Sequence, residues 1–176
     1  MSTIQRSPAP ENAHLHKYTS MPGAYTDSYL TEIPIQVSFS DYVFTFYTTP
    51  LFKVERLILK LLVRKPSTDK DARELADGVR AQFAAWTVEA RSENQILMCD
   101  FASSTRSWLM SVPTETGTRL YFGSAVVPHR ISKKGKPSLG FFFTALLGFH
   151  KVYSVLLLHS AGTKLKQNRL MSTRKP

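Results

Sequence analysis

TRSWLMSVPTETGTRLYFGSAVV, residues 105–127, is the part of the chain whose pattern decides the fold. Arg106, Trp108, Met110 and Val112 share one face of an extended segment, and Thr105, Ser107, Leu109 and Ser111 share the other. Pro113-Thr114-Glu115-Thr116-Gly117 breaks the alternation and is short enough for a hairpin, which predicts strands at 105–112 and 118–127. Upstream, 83–91 and 95–101 show the same period of two, with Ser92-Glu93-Asn94 and Ala102-Ser103-Ser104 as the intervening turns. Four strands joined by short turns make an antiparallel meander; parallel strands would need long helical crossovers. A small sheet of this kind must hide its apolar face, and the C-terminal segment is the available partner.

Helical spacing dominates the chain before the meander. Residues 1–24 read as a flexible N-terminal arm, and 25–37 as a strand broken by Pro34, which suits an edge or first position. Ser38 or Ser40 can cap a helix over about 40–48 that presents Tyr42, Val43, Phe46 and Tyr47. Beyond Thr49-Pro50, the residues Leu51, Val54, Leu57, Ile58, Leu61 and Leu62 recur at helical spacing. They predict a core-facing stripe, with Lys53, Glu55, Arg56 and Lys60 filling the outer side. Asp69, Asp71 and Glu74 then open a short helix that ends near Asp77-Gly78. Their carboxylates sit where a helix dipole favours them, without histidine partners for a metal.

Charge is distributed unevenly along the 176 residues. The formal net charge is +10, yet no Asp or Glu follows Glu115, and all of the surplus lies beyond that point. Excess cationic charge attracts nucleic acid or anionic lipid. A nucleic-acid reader also needs a reading element, and neither Arg130-to-Lys136 nor Lys164-to-Lys175 is joined to one. Nucleic acid is therefore the less expected partner, and an anionic membrane surface the alternative to plain solvated charge. Residues 139–159 are apolar and long enough to span a bilayer, but His150 and Lys151 fall near their middle, which is costly in hydrocarbon. A packed amphipathic helix is the expected form. Cys99 is the single cysteine, so no intrachain disulfide framework exists. The polar N-terminus lacks the apolar core of a secretory signal, and a cytoplasmic location is expected, with peripheral membrane association as the alternative.

Four stretches carry a resemblance: Tyr29 with the helix through 39–46; Glu55-Arg56 within 51–62; FAAWTVEAR at 83–91; and TRSWLM at 105–110 followed by RLYFGSAVVP at 119–128. Together they resemble a family of uncharacterised bacterial and fungal proteins grouped with the helix-grip, or START-like, superfamily, over roughly residues 25–160. The resemblance implies an α+β fold in which a curved antiparallel sheet grips a long C-terminal helix, with a hydrophobic cavity between them. It implies an organisation of arm 1–24, one domain over 25–160 and a basic tail over 161–176. Members of that superfamily bind lipids, sterols or polyketides, and some catalyse cyclisation or dehydration without a cofactor. The present chain departs in offering four strands after its helices where the larger form has six.

Within such a cavity, Arg106 and Trp108 are the sharpest pair, a guanidinium fork for a carboxylate, phosphate or enolate beside an apolar wall. Their bland alternative is a surface arginine whose stem covers the indole. Tyr121 on the next strand, and Phe142, Leu146 and Phe149 from the C-terminal helix, complete the expected ligand-binding set. Should chemistry occur, Asp100, Tyr121 and His129 are the candidate catalytic groups, with an Asp100–Arg106 ion pair as the structural alternative. No HExxH-type spacing, phosphate loop or nucleophile elbow occurs, so neither metal nor cofactor is expected. The expected function is binding of a hydrophobic or amphipathic small molecule. Its rivals are a cofactor-independent cyclase, lyase or isomerase in the same cavity, and a peripheral membrane or protein-interaction module.

Overall fold

The computed structural model describes residues 3–127 and 140–172, with side chains described except at 59–60, 62–63, 140–152 and 172. A seven-stranded antiparallel sheet is packed on one face by helices. Its strands are β1 (Gln5–Arg6), β2 (Tyr25–Ile33), β3 (Gln82–Phe83), β4 (Trp86–Ser92), β5 (Gln95–Asp100), β6 (Thr105–Thr114) and β7 (Gly117–Val126). They lie in the order β1-β2-β7-β6-β5-β4-β3. The helices are α1 (His16–Thr19), α2 (Phe39–Tyr47), α3 (Pro50–Val63), α4 (Asp69–Ala76) and α5 (Gly140–Ser172). A meander returning to its first long strand, with a C-terminal helix laid across it, is the helix-grip-like arrangement expected from the sequence.

Local chemistry explains the element boundaries. β2 stops at Ile33 because Pro34 cannot continue the ladder, after pairing along its whole length with β7 from Tyr25↔Val126 to Ile33↔Thr118. Ser38 caps α2 by accepting from the Asp41 amide, and Thr68 with Asp71 forms a reciprocal capping box on α4. Gly78, at φ +79°, takes the left-handed position just beyond α4. Cations close two helix ends. Arg91 donates to the carbonyls of Leu75 and Ala76 in α4, and Lys164 donates to the Thr48 carbonyl at 2.7 Å beyond α2. The stretch expected as one strand over 83–91 is a tight hairpin instead. Phe83 pairs with Trp86 across Ala84, whose φ is +52°.

Two apolar layers sandwich the sheet. On the helix face, Ile33, Ile96, Met98, Leu109, Leu120 and Phe122 meet Tyr42, Phe46, Tyr47 and Phe52 from α2 and α3, and Leu157, Leu158, Ala161 and Leu165 from α5. Phe46, Tyr47, Phe52 and Phe83 form a connected aromatic set with ring centroids 4.9–6.3 Å apart. On the outer face, Leu97, Trp108, Met110, Tyr121 and Ala125 are covered by Ala13, Leu15 and Tyr18.

The outer layer corrects the reading of residues 1–24 as a flexible arm. Within its described part, β1 pairs with β2, and the segment through α1 supplies the cover that the outer sheet face needs. Residues 161–172, expected as the start of a basic tail, continue α5, because Ala161 and Leu165 still face the core. No helix among the described residues is long and apolar enough to cross a membrane.

Candidate functional site

Helix α3 carries the least expected side-chain arrangement. Pro50 opens it, and the Thr49 hydroxyl accepts from the Phe52 amide at 3.2 Å. The inward side of α3 bears Phe52 and Arg56, with Leu51 packed against the core and Glu55 half-buried, although the sequence pattern assigns Glu55 and Arg56 to the outside. Arg56 is tolerated there because its donors are met: Asp69 at 2.6 Å, the Ser67 hydroxyl at 3.0 Å and the Ser67 carbonyl at 2.6 Å. Its guanidinium also lies 5.6 Å from the centre of the Phe83 ring. Of the apolar stripe expected to be buried, Leu51 packs against the core and the Leu62 side chain lies outside the described residues, but the other four members are turned outward. Val54, Leu57, Ile58 and Leu61 are 56, 54, 49 and 69% exposed.

Glu55 therefore points into the layer between α3, β4 and α5. Its Oε2 accepts a short hydrogen bond from the Tyr153 hydroxyl of α5. Burial raises the Glu55 carboxyl above its ordinary range, while hydrogen bonding by Tyr153 and Trp86 works against the rise. Burial and the adjacent carboxylate together push the Tyr153 phenol far up, so it remains a hydrogen-bond donor. Tyr47 of α2 lies in the field of the same carboxylate. Its phenol is also raised, first by burial, with Ser107 on β6 working against the shift. Even so, the Tyr47 hydroxyl and the fully buried Ser154 hydroxyl make no hydrogen bond of normal geometry among the described residues.

Buried polar atoms left without partners cost about 1–3 kcal/mol each and call for an explanation. Three polar side chains, Tyr47, Glu55 and Tyr153, thus come from three helices to one side of an aromatic and aliphatic layer. Chemically, the set can orient one polar group of a mainly apolar molecule. It can also exchange a proton through a carboxyl whose basicity is raised.

The residues expected from sequence divide between the two sheet faces. Arg106, Trp108 and Tyr121 are brought together, but on the outer face, away from α5. Arg106 Nε donates to Glu89 Oε2 at 2.5 Å and to the Tyr18 hydroxyl at 2.8 Å. The guanidinium sits 4.9 Å from the Tyr18 ring centre. Trp108 is fully buried, donates to Gln95 Oε1 at 2.9 Å and packs on Tyr121 with ring centres 6.0 Å apart. Gly123 makes room for this, since a Cβ there would lie 2.9 Å from the indole and 2.8 Å from Leu15.

The physical reason for the split is strand parity: α5 packs on Leu109, Leu120 and Phe122, and the intervening residues face the N-terminal segment. The expected Asp100–Arg106 pair does not form, because Arg106 stands opposite Cys99, which places Asp100 on the other face. Asp100 instead accepts from the amides of Ser104 and Thr105 at 2.7 and 3.0 Å and shapes the β5–β6 turn. His129 lies outside the described residues, as do the side chains of Phe142, Leu146 and Phe149.

Around Glu89, burial alone would raise the carboxyl, but hydrogen bonds from Lys17, Tyr18 and Arg106 outweigh it and hold it below its ordinary range. This cluster fastens the N-terminal segment to the sheet. Among the described residues, no three His, Cys, Asp or Glu side chains are grouped so as to hold a metal ion. A scan of protein-family models and a search of curated proteins both return no match to this chain.

Proposed function

We propose that the chain is a START-like, helix-grip binder of a hydrophobic or amphipathic small molecule of lipid or polyketide character. The ligand lies between the helix face of the sheet and α5, and Glu55 with Tyr153 anchors its polar end. The supporting observation is the half-buried Glu55–Tyr153 hydrogen bond at the border of an aromatic and aliphatic core, with the Tyr47 hydroxyl, which makes no hydrogen bond of normal geometry among the described residues, in the field of the same carboxylate. Selection comes chiefly from apolar area, about 25 cal/mol per Å2 removed from water, with the polar anchor fixing orientation.

The test is native mass spectrometry of protein taken from its source host, followed by saturable displacement of an apolar fluorescent probe. A co-purified apolar molecule whose retention drops in Y153F supports the reading. Absence of both a retained molecule and saturable probe binding refutes it.

A second reading is favoured by one arrangement, the half-buried Glu55 carboxylate hydrogen-bonded to the Tyr153 hydroxyl, where burial favours the protonated carboxyl. These are the groups that a cofactor-independent cyclase, lyase or isomerase would use for proton transfer. It assigns the acid–base role to Glu55 in place of Asp100, which is engaged by two backbone amides, or Tyr121, which lies on the outer face. Turnover of a bound molecule that vanishes in E55Q while binding persists would separate catalysis from binding.

A further inference from the structure

We infer that the exposed stripe of α3 is a docking surface for an anionic lipid bilayer. The inference concerns the outer side of this helix and does not require a ligand in the Glu55 layer. Val54, Leu57, Ile58 and Leu61 stand at the i, i+3, i+4 and i+7 positions of one helical face, each about half exposed or more. Isolated exposed aliphatic residues are ordinary, but four in register on one helix form a continuous strip.

Cations stand at one end of the strip. Arg64 and Lys65 are exposed just beyond the last residue of α3. The neighbouring carboxylates are engaged elsewhere, Glu55 by Tyr153 and Asp69 by Lys53 and Arg56. Leu156 of α5, one turn beyond the tyrosine that meets Glu55, is also exposed. An apolar helix face with cations at its end matches the interfacial geometry, in which aliphatic side chains enter the acyl boundary and cations remain among the headgroups.

Charge and size argue against other occupants. The chain carries +10 overall, with the surplus beyond Glu115, which disfavours approach of a second copy and favours approach to anionic lipid, while Arg64 and Lys65 supply the local cations. Four partly exposed aliphatic side chains also fall short of the roughly 800 Å2 per partner that a standard protein interface buries. A bilayer needs no matching shape and gains from each inserted side chain separately.

The full-length chain is tested by co-sedimentation with phosphatidylcholine vesicles and with vesicles of phosphatidylcholine plus phosphatidylserine. Binding is expected to the second kind only and to weaken at high salt. The L57S/L61S double variant alters exposed positions, so its melting profile should match the parent while vesicle affinity falls roughly tenfold or more. R64E/K65E should lose affinity on a similar scale while remaining folded, about tenfold or more. Failure of the parent chain to bind the anionic vesicles overturns the inference, as does undiminished binding by L57S/L61S. A concentration-dependent dimer, seen by sedimentation and abolished in L57S/L61S, also overturns it by assigning the stripe to self-association.

Discussion

Exchanging Phe52 and Leu57 for alanine, one at a time, interrogates the orientation of α3, on which the placement of Glu55 rests. Phe52 is 3% exposed, with ring centroids 4.9 Å from Tyr47, 6.0 Å from Phe46 and 6.3 Å from Phe83. Truncating it removes a large apolar side chain from an aromatic cluster that cannot collapse fully, at a cost of about 3–5 kcal/mol. Leu57 keeps 54% of its surface in water. Complete burial of leucine is worth about 1.5–3 kcal/mol, so truncating this half-exposed one should cost about 1 kcal/mol or less. Chemical denaturation by urea reads both values from the shift in midpoint at unchanged slope. In thermal melts, where about 1 kcal/mol corresponds to roughly 2–4 °C for a chain of this size, F52A should fall by about 6–20 °C and L57A by no more than about 4 °C. Were L57A as damaging as F52A, α3 would face the core with its aliphatic stripe. Glu55 would then point to solvent, and both the proposed anchor and the docking surface would fail together.

Three further outcomes follow from the geometry. Glu55 has a raised folded pKa, so its contribution to stability is greatest below about pH 4.3 and declines as pH rises through the elevated value. E55Q keeps an acceptor for Tyr153 and should flatten that decline in melts taken across pH; a steeper decline would refute desolvation as the cause. Glu89 behaves oppositely, since its folded pKa is depressed: its contribution is complete above about pH 4.3 and is lost as pH falls through the lower value. E89Q should abolish that acid-dependent loss, cost about 3 kcal/mol at neutral pH by leaving the Arg106 charge without its carboxylate, and hasten proteolysis within residues 1–24. An unchanged cleavage rate would mean that the cluster does not hold the N-terminal segment. G123A should cost about 1–3 kcal/mol in urea melts, because its new methyl group would meet Leu15, Trp108 and the Asp27 carbonyl at 2.8–3.0 Å; neutral stability would show that the outer layer is loosely packed.

The meander was legible because a period of two leaves a strong trace. Arg106, Trp108 and Met110 do share a face, and the β6–β7 hairpin turns between Thr114 and Gly117, within the expected stretch. Parity alone does not say which face meets which helix. That depended on Ala13, Leu15 and Tyr18, whose apolar spacing sits among prolines and histidines and looked like an unstructured lead. The stripe on α3 misled for a related reason. Hydrophobic periodicity identifies a helix and its faces, but the structure buries the side bearing Phe52 and Arg56, where Ser67, Asp69 and Phe83 meet the guanidinium. Glu55 lies in the stretch 51–62 that carries part of the family resemblance, yet nothing local announces Tyr153, 98 residues away, as its partner. Contacts of such separation are products of topology and leave no mark on either segment.

The sheet ends on both sides in strands of two residues, β1 and β3. Short borders offer few free amides and carbonyls to a passing strand, a common protection against fibril growth. On one side that protection is borrowed: β2 is nine residues long, and residues 3–7 shield only its middle, through Gln5↔Leu30, Arg6↔Tyr29 and the Ser7 amide on the Ser28 carbonyl. Clipping the chain ahead of residue 8 would uncover a long ladder edge. Such a shortened protein would be prone to template its own aggregation even with its core intact, so proteolytic trimming of this segment would act on solubility before it acted on fold.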